Sequence, residues 1–223
     1  MTGEKMDENN LWLERWEKKE IGFNQNEVNN FMVKYFKQLN LEAGSKVLVP
    51  LCGKTIDISW LLSQGFIVTG IELSETAVIE LFEELNVTAS ISHLGEITLY
   101  RTHNLTVLVG DIFKVTAEML GDIDAIYDRA AIVALTKALR VEYTAHLRAI
   151  SNNAPQLLLC FEYEQSLMNR TPYSVEEAEV KKHYAEHYEL ELLLREEIVG
   201  GFKGKLPAND VVWLLKNISQ KLM

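Results

Sequence analysis

The sequence predicts a three-layer, doubly wound α/β fold, with a mostly parallel seven-stranded sheet that ends in an antiparallel strand. Three observations carry this. Short β-branched runs recur along the chain, and stretches with apolar residues at helical spacing separate most of them. The last two runs instead follow one another with only a glycine-bearing loop between. Strand, helix, strand, helix is the order that lays parallel strands side by side beneath helices on both faces. Strands covered on both faces read as continuous apolar runs.

Taken in order, residues 8 to 40 read as two helices, the first carrying Trp12 and Trp16, so that residues 1–40 form an N-terminal helical cap. The runs Lys46–Pro50, Ile67–Glu72, Thr106–Gly110, Ile123–Tyr127 and Gln156–Phe161 read as buried strands. Trp60, Leu61 and Leu62 mark one intervening helix, and Ala77, Val78, Leu81, Phe82 and Leu85 a second. A third runs from Thr136 to Ser151, with Leu139, Tyr143, Leu147 and Ile150 along one stripe. After the fifth strand a helix near Ser174 to Tyr184 precedes two further runs, one from Glu189 and one from Asp210. The loop from Gly200 to Asn209 joins them into an antiparallel hairpin. No Pro/Ser/Gly-rich linker or fixed-period repeat interrupts the chain, so residues 1–223 are expected to form a single domain.

Composition narrows the partners. Of 223 residues, 48% are apolar and 24% charged, the balance of a protein that buries its own core. Twenty-two Lys and Arg against thirty-two Asp and Glu give a net charge of −10, which repels phosphate backbones and anionic lipid. Neither nucleic acid nor a membrane surface is expected as a partner. No window approaches roughly eighteen consecutive apolar residues, and the polar, acidic start Met1–Glu8 carries no secretory signal. The two cysteines, Cys52 and Cys160, lie inside apolar runs, as in a reduced setting. A cytoplasmic monomer acting on a small molecule is the expectation.

Chemistry concentrates at the strand ends. The first strand runs into Pro50-Leu51-Cys52-Gly53-Lys54, where a glycine lets the backbone approach a ligand closely. About twenty residues on, the second strand closes at Glu72, the place where an acidic residue accepts hydrogen bonds from a ribose. A third station, Gly110-Asp111-Ile112-Phe113, follows the next long strand and is placed to meet an adenine. The G-x-G-x-x-G pattern is absent, which argues against a pyrophosphate cradle. A sulfonium nucleoside has no phosphate to cradle. S-adenosylmethionine is therefore favoured over a nicotinamide dinucleotide. Glu72 as a merely solvated strand end stays open on pattern alone.

Five segments carry a resemblance. They are Arg15-Trp16 with Ile21-Gly22-Phe23, Val47–Lys54, Val68–Ser74, Tyr127–Leu135 and Pro172–Val180. In these the chain resembles the bacterial branch of the thiopurine S-methyltransferase family, over nearly its whole length. The resemblance implies a Rossmann-like methyltransferase fold, S-adenosylmethionine as cofactor, and methyl transfer to a soft nucleophile: a thiol, a thiopurine-like heterocycle, or a selenium or tellurium species. It further implies that Trp16, Leu51, Gly53, Glu72, the Asp111–Ile112 pair and Arg129 bind the cofactor, and that Phe23 and Arg129 line the acceptor pocket. Asn24 stands where the family commonly has His, and Lys203 and Lys205 where an arginine is sought.

Arg129 is the candidate catalytic group, since a guanidinium that never loses its proton favours an anionic acceptor; a purely structural ion pair is the alternative. Trp16 reads as a lid and Trp12 as packing, with Phe23 and Tyr173 as aromatic walls. Cys52 reads as a small residue that fits the loop. His183-Tyr184-Ala185-Glu186-His187 spells a zinc motif, but a third ligand well downstream is missing. No metal is expected.

Overall fold

A computed structural model describes residues 3–218, and residues 3–7 by their backbone alone. The first two residues of the expected cap and the last five of the expected domain lie outside it. Helix α1 (Gly3–Glu17) and a loop lead to the short α2 (Asn30–Tyr35), capped by the Asn29 side chain, which accepts from the Phe31 and Met32 N–H groups. The core then alternates: β1 (Lys46–Pro50), α3 (Asp57–Ser63), β2 (Ile67–Glu72), α4 (Glu75–Glu84), β3 (Ser90–Leu94), β4 (Ile97–Arg101) and β5 (Leu105–Val109). It continues through α5 (Ala117–Leu120), β6 (Ala125–Arg129), α6 (Lys137–Ile150), β7 (Gln156–Tyr163), α7 (Glu177–Tyr184), β8 (Tyr188–Glu197) and β9 (Ala208–Asn217).

Among the described residues the strands form one nine-stranded sheet in the order β3-β4-β5-β2-β1-β6-β7-β9-β8. The five central strands, β5-β2-β1-β6-β7, are parallel. The expected terminal hairpin is present, with β9 inserted antiparallel between β7 and β8. The sheet holds two strands more than expected. The β3–β4 hairpin extends the other edge, β4 pairing antiparallel with β5. β3 (Ser-Ile-Ser-His-Leu) is exposed along its whole length and so lacks the apolar alternation that marks a half-buried strand.

Alternation within the central strands divides the core between two faces. Val47 and Val49 pack on one side with Met32, Ile58, Leu61 and Leu81; Leu48 packs on the other with Tyr143, Leu147 and Val180. From β1 the chain builds outward to β2 and β5 on one side, and to β6 and β7 on the other. The reversal at β1 leaves a crevice at its carboxyl end, where open α/β sheets bind ligands.

Candidate active site

That crevice opens into a cavity of about 600 Å³, and every candidate residue of the sequence reading lines it: Trp16, Phe23, Leu51, Gly53, Glu72, Asp111, Ile112 and Arg129. The backbone is strained where the strands end. Leu51 just past β1 and Ala130 just past β6 take left-handed conformations, at φ +45° and +64°. Side chains rarely pay that cost outside functional sites.

Glu72 is buried at the end of β2 and bridges two loops. The Gly53 N–H donates to its Oε2 (2.7 Å) and the Ser74 N–H to its Oε1 (2.8 Å). Burial pushes the carboxyl up from its usual range, and these backbone donors draw it back. A carboxylate offers about four lone-pair positions, so one on each oxygen is left for a further donor. That is the requirement of a vicinal diol, and the residues fit an adenosyl ribose.

Gly53 is required twice over. Its φ is +52°, and a methyl group there would sit 2.9 Å from Trp16 Cζ2. The buried indole of Trp16 therefore lies directly on the loop that supplies the Gly53 N–H. Cys52 sits against Gly70 of β2, where an added methyl would come within 2.8 Å of Sγ. Burial, reinforced by the charge of Glu72, pushes the Cys52 thiol well up, so it packs as a small neutral group. Asp111 accepts from the Phe113 N–H (3.0 Å) and from Asn9 Nδ2 of α1 (3.4 Å).

Helix α1 thus spans the mouth as the cap reading requires. Besides Asn9, Glu8 accepts from the Thr136 N–H (3.4 Å), and Arg15 donates to Thr171 Oγ1 (2.7 Å). Trp12 does more than pack. Both indoles meet Phe23 edge-on, Trp12 at 5.5 Å and Trp16 at 5.6 Å between ring centres, and Trp12 lines the cavity.

The acceptor side gathers Phe23, Phe31, Arg129, Phe161, Phe202 and Asp210. Arg129 is the last residue of β6. Its Nη2 donates to Asp57 Oδ2 (3.0 Å) and Thr55 Oγ1 (3.1 Å), its Nε to Asp57 Oδ2 (3.2 Å), and its Nη1 faces the Phe23 carbonyl at 3.5 Å. The ion pair that the sequence allowed exists, but with Asp57, and Arg129 still lines the cavity. Its strand neighbour Asp128 points to the other face and accepts from Tyr143 Oη (2.7 Å). Lys203 stands at the rim, while Lys205 is exposed and outside the lining. Burial, with Arg170 and Arg15 nearby, draws the Lys203 ammonium down. Asn24 lines the cavity.

Tyr173 is a correction. It lies outside the lining, its ring 5.7 Å from the Arg140 guanidinium, because its N–H is held by the Val133 carbonyl (2.7 Å). Sequence reasoning also missed Asp57, Thr55, Phe202 and Asp210. Asp57 sat in plain view, three residues beyond Lys54 at the start of α3, where an acidic residue passes for a helix-end charge. Helix α7 ends at Tyr184, so His183 and His187 share no helical face; His183 meets Glu179 (3.3 Å). Among the described residues, no group of three His, Cys, Asp or Glu is placed to hold a metal ion, and no helix is long and apolar enough to cross a membrane.

A parallel sheet with a terminal antiparallel strand, and a ribose-competent carboxylate closing its second strand, define an S-adenosylmethionine-dependent methyltransferase. In fold the chain is similar to the 1,6-didemethyltoxoflavin-N1-methyltransferase of Burkholderia thailandensis, solved with S-adenosylhomocysteine. The TM-score is 0.63 at 13% identity, covering 94% of this chain and 87% of that one. The thiopurine S-methyltransferase family model matches residues 7–215. Relatives named thiopurine S-methyltransferase include one from Teredinibacter turnerae, 47% identical over 94% of this chain and 98% of its own length. Another, from Xanthobacter autotrophicus, is 45% identical over 94% and 99%. The chain belongs to the thiopurine S-methyltransferase family. It is an S-methyltransferase that uses S-adenosylmethionine, and the nicotinamide alternative falls with that membership.

Proposed function

We propose that the chain methylates a soft, polarisable nucleophile carried on a small and preferably planar molecule: a thiol, a thiopurine-like heterocycle, or a reduced selenium or tellurium species. The observation that carries this is one wall of the cavity, where Phe23, braced edge-on by two indoles, stands beside the Arg129 guanidinium. An aromatic face next to a fixed cation suits an apolar ring bearing an anionic sulfur or selenium.

The assignments follow. Glu72 holds the ribose; Gly53, Leu51 and Trp16 enclose the body of the cofactor; Asp111 and Ile112 meet the adenine. When bound, S-adenosylmethionine supplies an electrophilic methyl group on a sulfonium. The protein's own share is orientation, exclusion of water by α1, and stabilisation of the acceptor's anion by Arg129. No general base is required for an acceptor that ionises near neutral pH. The same reading takes residues 1–223 as one domain, working as a monomer in the cytoplasm with neither nucleic acid nor membrane as partner. Its net charge of −10 and two buried free cysteines support this. Light scattering during gel filtration measures the oligomeric state.

The decisive experiment is a methyl-transfer screen over thiopurines, thiophenols, selenite with a thiol reductant, and tellurite treated likewise. Transfer to sulfur or selenium acceptors but not to phenols or amines of the same shape is expected. Equal transfer to oxygen or nitrogen acceptors overturns the proposal.

A further inference from the structure

The geometry points to Asp57 as the positioning residue of the acceptor pocket, a single buried carboxylate that fixes both the Arg129 guanidinium and the segment carrying Phe23. The inference rests on the role given to Arg129 above and adds what makes that role possible.

Asp57 is fully buried, and a carboxylate so placed persists only when its oxygens are met by donors. They are met from three directions. Oδ1 accepts from the Asn29 N–H (2.8 Å); Oδ2 accepts from Tyr127 Oη (3.0 Å) and from Arg129 Nε and Nη2 (3.2 and 3.0 Å). Thr55 Oγ1 takes the same Nη2 at 3.1 Å. The guanidinium is therefore gripped along its Nε–Nη2 edge. Its Nη1 has only the Phe23 carbonyl, at the 3.5 Å limit of a hydrogen bond. Nη1 is the nitrogen left to meet the acceptor. Asn29 closes the segment that begins at Phe23 and caps α2, so Asp57 also sets where the aromatic wall stands relative to that nitrogen.

This arrangement makes Asn a severe replacement despite its equal size. An amide presents one oxygen and one NH₂ group. Whichever way it turns, the NH₂ group faces a donor, either the Asn29 N–H or the Arg129 and Tyr127 pair.

The test compares Asp57→Asn, Arg129→Ala and the double variant, with thiophenol as acceptor. S-adenosylhomocysteine affinity and thermal unfolding are followed in each. Asp57→Asn is expected to lower kcat/KM about tenfold or more, and the double variant to be no worse than Arg129→Ala alone within about twofold, the signature of residues acting as one unit. Asp57→Glu restores part of the activity. In the complex with S-adenosylhomocysteine, the ultraviolet band of the bound thiolate is lost in both single variants. A purely structural defect would not remove that band selectively. Thr55→Val, which deletes only one of the contacts to Nη2, lowers kcat/KM about threefold, and serves if the Asp57 variants do not fold. Full activity in Asp57→Asn and Thr55→Val overturns the inference, as do losses that multiply in the double variant. If Arg129→Ala itself is fully active, the role of Arg129 fails separately, and a loss confined to Asp57→Asn then overturns the inference as well.

Discussion

The two halves of the cavity are built by different means. On the cofactor side, Gly53, Glu72 and Asp111 follow three neighbouring parallel strands, β1, β2 and β5, and their side chains and amides are fixed by short backbone bonds. On the acceptor side, Phe23 and Arg129 are 106 positions apart in sequence, and Phe202 and Asp210 come from the hairpin that closes the sheet. The first half is a consequence of the sheet. The second is assembled by loops and held by the Asp57 carboxylate. A chain built this way can change its acceptor through the second half while its cofactor half stays as the sheet dictates. Variants on each side should therefore separate cofactor affinity from acceptor kinetics.

The largest effect belongs to Glu72. Glu72→Ala removes a charged acceptor from two ribose hydroxyls, at about 1.5–3 kcal/mol each, so cofactor affinity should fall about a thousandfold by calorimetry. The bridge between the Gly53 and Ser74 amides goes with it, and Glu72→Gln should fall between the two. A cofactor dissociation constant within threefold of the unaltered protein would remove Glu72 from the site.

Asp128 tests the seam between the halves. Burial pushes its carboxyl up to about 6, although the Tyr143 hydroxyl and the Ile132 N–H pull it down. The folded chain thus holds this proton more tightly than the unfolded chain, whose value is about 3.9. The resulting stabilisation is complete below about pH 4 and is lost as pH rises through about 6. Asp128→Asn cannot lose it. Between about pH 4 and pH 7 the stability difference should therefore move in favour of the variant, by on the order of 3 kcal/mol in urea unfolding. A difference that does not change with pH would show that Asp128 is ionised without penalty.

Arg129→Ala comes next, with kcat/KM for thiols down at least about tenfold, that is, about 1.4 kcal/mol of transition-state stabilisation. Unchanged kcat/KM across several thiols rules the role out. Because Asp57 would be left buried without its cation, Arg129→Lys is the milder companion and should recover little. An ammonium cannot span Asp57 and Thr55 while still presenting a donor to the acceptor.

How much of this was legible follows from the same contrast. β1 and β2 read with their observed bounds, and α6 starts at the Thr136 cap and ends within a residue of the expected stop. Such segments carry their own signal: a continuous apolar run, or a stripe between a capping residue and a turn. Glu72 and Gly53 were legible because position along a strand fixes position in the crevice. The β3–β4 hairpin escaped because its outer strand is exposed; the Gly95-Glu96 pair between two short runs was the only local trace. Asp57 escaped for another reason. Its partners, Asn29, Tyr127 and Arg129, lie on three other segments, and no periodicity encodes such a meeting. Tyr173 was misplaced likewise, since its proximity in sequence to the acceptor-side Pro172 says nothing about which way its ring turns.

The smallest effect sharpens the comparison most. Phe23 touches both indoles of the cap at edge-on geometry, with interplanar angles of 77° and 78°. Such pairs contribute about 0.5–1.5 kcal/mol each beyond their buried area. Phe23→Ala should raise acceptor KM about five- to tenfold by that measure, and leave cofactor affinity within about twofold. The reason is that Trp16 is also seated on Gly53, through contacts that Phe23 does not supply. If cofactor affinity fell as steeply as acceptor KM rose, the cap would be one unit spanning both halves. Substrate choice could then not be changed without changing how the cofactor is held.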